Sequence, residues 1–303
     1  MGWDAIVLVL LSVSMHATWN FLSKKSRSSA AFFCISSYIA ALCWCWVLPV
    51  YGIAERAVTP HALVLWVTSL AFETLYFIGL FKAYTSADMS LAYPVARALP
   101  VLLIAGVTAI IYPGRYPNAW GMAALFIVFC GCLMMPLTRF SEFSLKNYTK
   151  KSMRYILLAA IGTTGYTLTD SELVRMCAAS AGYNSAVASY ALTFVVNFGL
   201  GTTMGLIVLG KKSERENFKY LISSVRHFIY PAMAGILSSL AYALVLAAMT
   251  KVTQLSFLQA FRQMSLPIGL LLGIIILKEP AHRPKIAGIT LIVTGLVLIA
   301  FLG

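Results

Sequence analysis

Two stretches of the chain repeat each other, ALPVLLIAGVTAIIYPGRYPNAWG (residues 98–121) and SLPIGLLLGIIILKEPAHRPKIAG (residues 265–288). They share the pattern P-x12-P-x3-P-x3-G, and each member of the second copy stands 167 residues after its counterpart: Pro100/Pro267, Pro113/Pro280, Pro117/Pro284 and Gly121/Gly288. Because the chain holds only 11 prolines, four matched positions are hard to obtain by chance. Each copy covers an apolar helix, a proline-bounded turn and the start of the next helix. The pattern therefore predicts an internal repeat.

The composition around these stretches is that of a membrane protein. Hydrophobic residues make up 60% of the 303 positions and charged residues 11%, against about 25% charged in a soluble domain. Apolar runs of about 20 residues recur along the chain, and that length crosses about 30 Å of hydrocarbon. The runs do not alternate as membrane strands do. We expect an all-α protein with ten transmembrane helices, at about 4–22, 30–52, 62–83, 89–112, 118–138, 154–174, 184–209, 228–249, 253–277 and 286–302.

The repeat and the ten helices together predict two five-helix halves, residues 1–138 and 152–303. Five is an odd number, so the second half enters the membrane inverted relative to the first. Inverted repeats are a recurring transporter architecture, with the solute site near the midplane between the repeats.

The distribution of basic residues predicts an orientation. Connections 1–2, 3–4, 5–6, 7–8 and 9–10 carry 17 of the 23 Lys and Arg residues, among them Lys24, Lys25, Arg27, Lys150, Lys151, Lys211 and Lys212. The opposite side carries four: Arg56, Arg115, Arg175 and Lys251. Since cytoplasmic loops are enriched in Lys and Arg, we expect both termini to lie outside the cytoplasm. The expected location is a bacterial inner membrane.

Several classes of function are disfavoured. The net charge of +13 is spread over short connections and not gathered on one face as in a nucleic-acid-binding protein, so it indicates attraction to lipid headgroups. The cysteines read as small apolar packing residues. They lack the two-residue gap of a zinc or redox pair. We also find no P-loop and expect no metal or cofactor.

Two arginines fall inside predicted helices. Arg97 lies about 12 Å into the fourth helix and Arg262 about 14 Å into the ninth, from opposite faces of the membrane. An ionisable group at such depth costs about 2.5–3.5 kcal/mol and normally faces a cavity or a partner. Two guanidinium groups near the midplane suit a carboxylate or a phosphonate-like anion. The alternative is that each arginine pairs with an acid or with helix carbonyls and only fixes packing.

Two acids also fall inside predicted helices. Glu73 lies near the centre of the third helix and Asp170 near the end of the sixth. Glu73 could carry a proton during transport or neutralise an arginine, and the sequence leaves both roles open.

Further polar side chains complete the predicted site. His16 and Asn20 are four residues apart on the first helix and share a face, with Trp19 beside them. His16 is expected either to make an interhelical hydrogen bond or to act directly on the solute or on a proton. The remaining predicted substrate-binding residues are Tyr93, Tyr166, Gln259 and Gln263.

These features resemble a known family. The stretch Leu258-Gln-Ala-Phe-Arg262-Gln-Met-Ser-Leu-Pro267, followed by Leu277-Lys-Glu-Pro280 and Gly288, is similar to a signature of EamA-like permeases in the drug/metabolite transporter superfamily. His16-Ala-Thr-Trp19-Asn20 and Ala92-Tyr-Pro94-Val-Ala-Arg97 resemble a subset associated with phosphonate-utilisation genes. The resemblance covers the whole chain and implies ten helices and metabolite transport.

The chain departs from that family at two points. The usual Gly-Glu-Arg-like turn after the fourth helix reads Tyr112-Pro-Gly-Arg115, without the acid, while the second half keeps Lys278-Glu279. The resemblance also implies cytoplasmic termini, whereas the count of basic residues predicts the reverse.

The sequence as a whole favours a secondary transporter that moves a small anionic or zwitterionic metabolite by alternating access. Its expected partners are that solute and the lipid bilayer, with proton coupling open and a monomeric or homodimeric state. The alternatives are a structural or channel-like subunit and, least favoured, an intramembrane enzyme. An enzyme would need a constellation of acids, nucleophile and base that the ten scattered acids do not offer.

Overall fold

The structure is a computed structural model, and it describes residues 2–26, 28–51, 59–86, 89–111, 117–135, 137–142, 153–181, 184–268 and 282–302. Some sequence features used above lie outside these residues. They are the prolines Pro113 and Pro280, the turn 112–115, the pair Lys278 and Glu279, and four basic residues, Arg27, Arg56, Lys150 and Lys151.

Every regular element in the described residues is a helix. The α-helices are α1 (Trp3–Lys25), α2 (Ala30–Leu42), α3 (Val47–Tyr51), α4 (Pro60–Ser86), α5 (Met89–Ile111), α6 (Ala119–Met134), α7 (Met153–Ala181), α8 (Ser185–Gly210), α9 (Lys212–Ile222), α10 (Val225–Met249), α11 (Leu255–Phe261) and α12 (Arg283–Leu302). Two 3-10 turns cover Phe140–Glu142 and Arg262–Met264.

Six helical stretches in the described residues are long and apolar enough to cross a membrane, so the chain is a membrane-like helical protein, compatible with a multi-pass arrangement. They are Trp3–Ser23, Ala30–Val50, Pro60–Ala83, Ala186–Gly210, Val225–Met249 and Arg283–Leu302. Two shorter apolar stretches cover Ala96–Ile111 and Ala119–Met134. The count of ten spans, the inverted repeat and the halves 1–138 and 152–303 stay predictions.

Two predicted helices are interrupted. The second, expected over 30–52, is broken between α2 and α3 by a turn at 43–46. The ninth, expected over 253–277, begins as the short α11 and tightens into the 3-10 turn at Arg262–Met264. Pro267 follows that turn, and its ring removes one backbone N–H donor from the helix.

Helix α9 was not predicted, because its charged residues place it in a polar connection. Its sequence KSERENFKYLI carries Glu214 in the first turn and Lys219 in the last, which suits the positive and negative ends of the helix dipole. Leu221 is fully buried. The helix is therefore amphipathic, and it connects two of the membrane-spanning stretches.

The described chain divides into two compact units. The first unit consists of residues 1–13, 75–164 and 251–303. Within it, α6 packs against α12 and α5, and α11 packs against α5. Gly131 and Gly288 bring α6 and α12 close together, since an added Cβ at either glycine would lie 2.7–2.8 Å from the other's carbonyl oxygen. Small residues allow such close approach between membrane helices.

The second unit consists of residues 14–74 and 165–250. Helix α2 packs against α8 and α10, and α9 packs against all three. At Gly235 on α10 an added Cβ would lie 2.3 Å from the carbonyl oxygen of Ser36 on α2, so a side chain is excluded there. All six cysteines fall in the described residues and are free thiols, with Cys34 and Cys132 buried.

Candidate functional site

The predicted site residues fall into two groups, one in each unit. The first unit contains Arg97, Gln259, Arg262 and Gln263, which we call the arginine cluster. The second unit contains Glu73 and Asp170 together with His16, Trp19, Asn20 and Tyr166. The side chain of Tyr93 lies outside the described residues.

The arginine cluster joins α5 to the end of α11. The half-buried Arg97 donates from Nη2 to the carbonyl oxygen of Arg262 at 2.8 Å and from Nε to Oε1 of Gln263 at 3.3 Å. The amide of Gln263 donates back to the carbonyl of Arg97 at 3.1 Å and to the carbonyl of Gln259 at 3.0 Å. Arg97 and Gln263 therefore exchange hydrogen bonds across the two helices.

Arg262 has a different environment. Its side chain is only 6% exposed, and Nη1 donates to Oε1 of Gln259 at 3.1 Å. In the described part of the chain this is the one hydrogen bond of its guanidinium, and no carboxylate pairs with it. A guanidinium carries five N–H donors. Arg262 thus retains donors for an anion, whereas Arg97 hydrogen-bonds a helix carbonyl and Gln263.

The second unit contains a buried group that we call the carboxyl cluster: Ser69 and Glu73 on α4, Asp170 on α7 and Tyr242 on α10. Asp170 is fully buried, and its two carboxylate oxygens accept hydrogen bonds from Ser69 and Tyr242. Glu73 is 6% exposed. It lies four residues after Ser69 on α4 and so shares a helix face with the residue that donates to Asp170. Two acids that lie 97 residues apart in the sequence are thus neighbours.

Neither acid of the carboxyl cluster forms an ion pair with a described residue. The Oε2 atom of Glu73 is buried and has no hydrogen-bond partner among them, and the same holds for the hydroxyl oxygen of Thr167, one helical turn before Asp170. Buried polar oxygens are normally hydrogen-bonded, so a donor such as a proton or a cationic group at either oxygen would be stabilising.

A close approach of two helices holds the carboxyl cluster in place. Gly165 on α7 faces Phe72 on α4, and an added Cβ would lie 2.2 Å from Cγ of the Phe72 ring. Only glycine fits at this contact. It lets α7 bring Asp170 within hydrogen-bonding reach of Ser69.

The predicted residues on α1 interact with one another. Trp19 donates from Nε1 to Nδ1 of His16 at 3.2 Å, and their rings meet edge to face at a centroid distance of 5.1 Å. Asn20 donates to the carbonyl oxygen of His16 at 2.8 Å, while its own Oδ1 is buried without a partner among the described residues. On α7, the ring of Tyr166 meets that of Tyr242 edge to face at a centroid distance of 6.4 Å.

Sequence reasoning named both acids and the residues around Arg262, but it missed Ser69 and Tyr242. Hydroxyl-bearing residues are frequent in these apolar helices, and no spacing marks the two that face Asp170. Among the described residues, no group of three or more His, Cys, Asp and Glu side chains could hold a metal ion.

Comparison with known proteins shows a similar fold among solved structures but no match among sequences. No protein-family model matches the chain. No curated protein sequence matches it. Twenty-eight chains of solved structures do match, among them one described as a crystal structure of a protein. That structure superposes with a TM-score of 0.70 at 15% sequence identity, covering 100% of this chain and 98% of the other. At this level of identity the likeness shows that the two chains share a fold.

Proposed function

We propose that this chain is a secondary transporter that moves a small anionic or zwitterionic metabolite across a bacterial inner membrane by alternating access and couples the movement to protons. The proposal includes ten membrane spans arranged as two inverted repeats, membership of the EamA-like permeases and termini outside the cytoplasm. The repeat of four proline and glycine positions at an offset of 167 residues supports the inverted arrangement.

One observation carries the proposal: two carboxyl groups are buried in apolar helices about one helical turn apart, because Ser69, which hydrogen-bonds Asp170, lies four residues before Glu73, and no described cation pairs with either. Asp170 is 0% exposed and Glu73 is 6% exposed. An ionisable group in a membrane helix costs about 2.5–3.5 kcal/mol, and two anions in one low-dielectric site repel each other. A purely structural subunit has no need for such a pair, whereas a proton-coupled transporter does.

In this proposal the carboxyl cluster binds and releases the coupled proton. When one acid of the pair binds a proton, the pair carries a single negative charge, and the hydrogen bonds from Ser69 and Tyr242 can stabilise that charge on Asp170. Release of the proton restores the repulsion between the two carboxylates. A change in protonation therefore changes the energy of this site, and such a change can bias an equilibrium between two conformations.

In this proposal the arginine cluster binds the anionic group of the solute. Arg262 offers its remaining N–H donors to a carboxylate or phosphonate oxygen, and the fork of a guanidinium can hold two oxygens at once. Arg97 and Gln263 position it, because Arg97 binds the carbonyl of Arg262 and Gln263 reaches the backbone of Gln259.

A ligand-induced stability assay tests the anion assignment. The purified protein is heated in detergent with methylphosphonate, alanine or malate, in the wild type, Arg262→Gln and Arg154→Gln. Arg154 is exposed and contacts the hydroxyl of Tyr155, so its substitution is the matched control. A ligand present at 100 times its Kd should stabilise the folded state by about 2.7 kcal/mol, in the wild type and in Arg154→Gln but not in Arg262→Gln. Equal stabilisation of all three proteins would contradict the assignment.

A further inference from the structure

A cleft opens on the side of the second unit, between α2, α8 and α9. Its volume is about 450 Å3, within the range of about 300–1,000 Å3 that is usual for ligand sites. Cys34 and Tyr38 line it from α2, and Leu206 and Leu209 line it from α8. The side chains of Leu206 and Leu209 are 64% and 69% exposed. The cleft is therefore apolar and laterally open.

The floor of the cleft is made of small groups. Gly205 on α8 faces Cys34 on α2, and an added Cβ at Gly205 would stand 3.6 Å from Sγ of Cys34. At the far end, the hydroxyls of Tyr38 and Thr202 lie 3.3 Å apart and form a hydrogen bond. Thr202 and Leu209, which both line the cleft, are separated by about 10 Å along α8. The cleft is thus a short groove that runs along two membrane-spanning helices.

The mouth of this groove is basic. Arg215 and Lys219 line it from α9, together with Phe218. Residues that are three and four apart share a face of a helix, so these three side chains point the same way. Both basic side chains are exposed.

A contact between Glu214 and the start of α2 fixes the orientation of α9. Glu214 accepts a hydrogen bond from the backbone N–H of Ala31 at 3.1 Å, at the start of α2. Of the two acids that flank Arg215, Glu214 is therefore engaged with a helix N-terminus, where a negative charge is favoured, while Glu216 is exposed. This contact holds α9 over the end of the groove and leaves its basic face at the mouth.

We propose that the groove binds one anionic phospholipid, with an acyl chain along α8 and the headgroup phosphate on Arg215 and Lys219. The apolar walls belong to helices that are long and apolar enough to span a bilayer, and α9 is amphipathic and lies between two such spans. Apolar walls with two cations at one end match a lipid whose phosphate sits at the edge of the hydrocarbon. The groove shares no residue with either cluster described above, and the proposal does not depend on transport.

The charge argument sets the size of the expected effect. A basic side chain near a membrane surface favours an anionic lipid by about fivefold, so two of them give about thirtyfold. The hydrocarbon walls favour no headgroup, because every phospholipid brings the same chains. The preference should therefore disappear when both cations of the mouth are removed.

Native mass spectrometry of the full chain in detergent tests the proposal, with phosphatidylglycerol and phosphatidylcholine that carry the same palmitoyl and oleoyl chains. The wild type should bind one phosphatidylglycerol at least tenfold more tightly than phosphatidylcholine. Arg215→Gln/Lys219→Gln should lose this preference. Lys211→Gln/Lys212→Gln is the matched control, since it removes two exposed charges next to or within the same helix, and it should keep the preference.

A third variant tests the acyl chain. Gly205→Leu fills the floor of the groove while both cations remain, so the tight phosphatidylglycerol should be lost. Binding at the wild-type level in this variant would overturn the proposal. Three other results would do the same: no preference in the wild type, equal losses in the two double variants, or displacement of the lipid by glycerol 3-phosphate, which would indicate a soluble phosphate as the ligand.

Discussion

Gly165→Ala is the substitution that most directly tests how the carboxyl cluster is built. The new Cβ would lie 2.2, 2.3 and 2.4 Å from Cγ, Cδ1 and Cδ2 of the Phe72 ring, far inside contact distance. The base of a ring cannot swing aside as a chain end can, so α4 or α7 must shift. Overpacking of this kind costs about 1–3 kcal/mol, while the higher helix propensity of alanine returns about 1 kcal/mol. We expect a net loss of up to about 2 kcal/mol.

Reversible unfolding in mixed micelles measures this loss as a change in the free energy of unfolding. Gly106→Ala is the matched control, because Gly106 lies within α5 and nothing stands within 4 Å of its added Cβ. That variant should be unchanged or slightly more stable. If Gly165→Ala were as stable as Gly106→Ala, the close approach of α4 and α7 would not exist as described.

A second substitution separates the clash from other effects. Phe72→Leu removes the ring that Gly165→Ala would meet, so the double variant should be less destabilised than the sum of the two single variants. Residues in contact show coupling of about 0.5–3 kcal/mol. Additive losses would show that Phe72 is not the neighbour that excludes a side chain at position 165.

The remaining predictions concern the helix contacts, one surface turn and one buried hydrogen bond. Gly131→Ala should cost about 1–3 kcal/mol of unfolding free energy, because its Cβ would lie 2.7 Å from a backbone oxygen of the facing helix. The hydroxyl and backbone N–H of Thr138 donate to the Glu142 carboxylate and hold the pKa of that carboxyl below its ordinary value. The deprotonated form therefore stabilises the turn, and this contribution is lost as the pH falls through the lowered pKa. Thr138→Val should raise the pKa of Glu142, as an NMR titration of labelled glutamate would show. Tyr242→Phe should cost about 1–3 kcal/mol of unfolding free energy, because a buried oxygen of Asp170 loses its donor.

The membrane character of the chain was predictable because it depends on composition and run length alone. Expected spans such as 89–112 and 286–302 match α5 (Met89–Ile111) and α12 (Arg283–Leu302) to within a few residues. The break at 43–46 was missed, since the run around it is uniformly apolar and hydropathy does not record a turn of the backbone. The amphipathic α9 was missed because its charges resemble those of a connecting loop.

The site was predictable only where charge marked it. Arg97, Arg262, Glu73 and Asp170 stand out because ionisable residues are rare inside membrane helices. Which of them would pair did not follow from the sequence. Glu73 lies one helical turn from Ser69, which hydrogen-bonds Asp170 in the structure, and such an arrangement depends on how helices that are distant in the sequence pack together.

The proposal that the carboxyl cluster couples solute transport to protons can be tested by measuring solute-driven proton movement in proteoliposomes. Protein reconstituted with a pH-sensitive dye inside the vesicles is given the solute that stabilises it in the thermal assay, and Asp170→Asn is compared with the wild type. If the carboxyl cluster carries the proton, the wild type moves protons with the solute, while Asp170→Asn still binds the solute and moves no protons. A wild type that transports without proton movement, or an Asp170→Asn variant that moves protons at the wild-type rate, would contradict it.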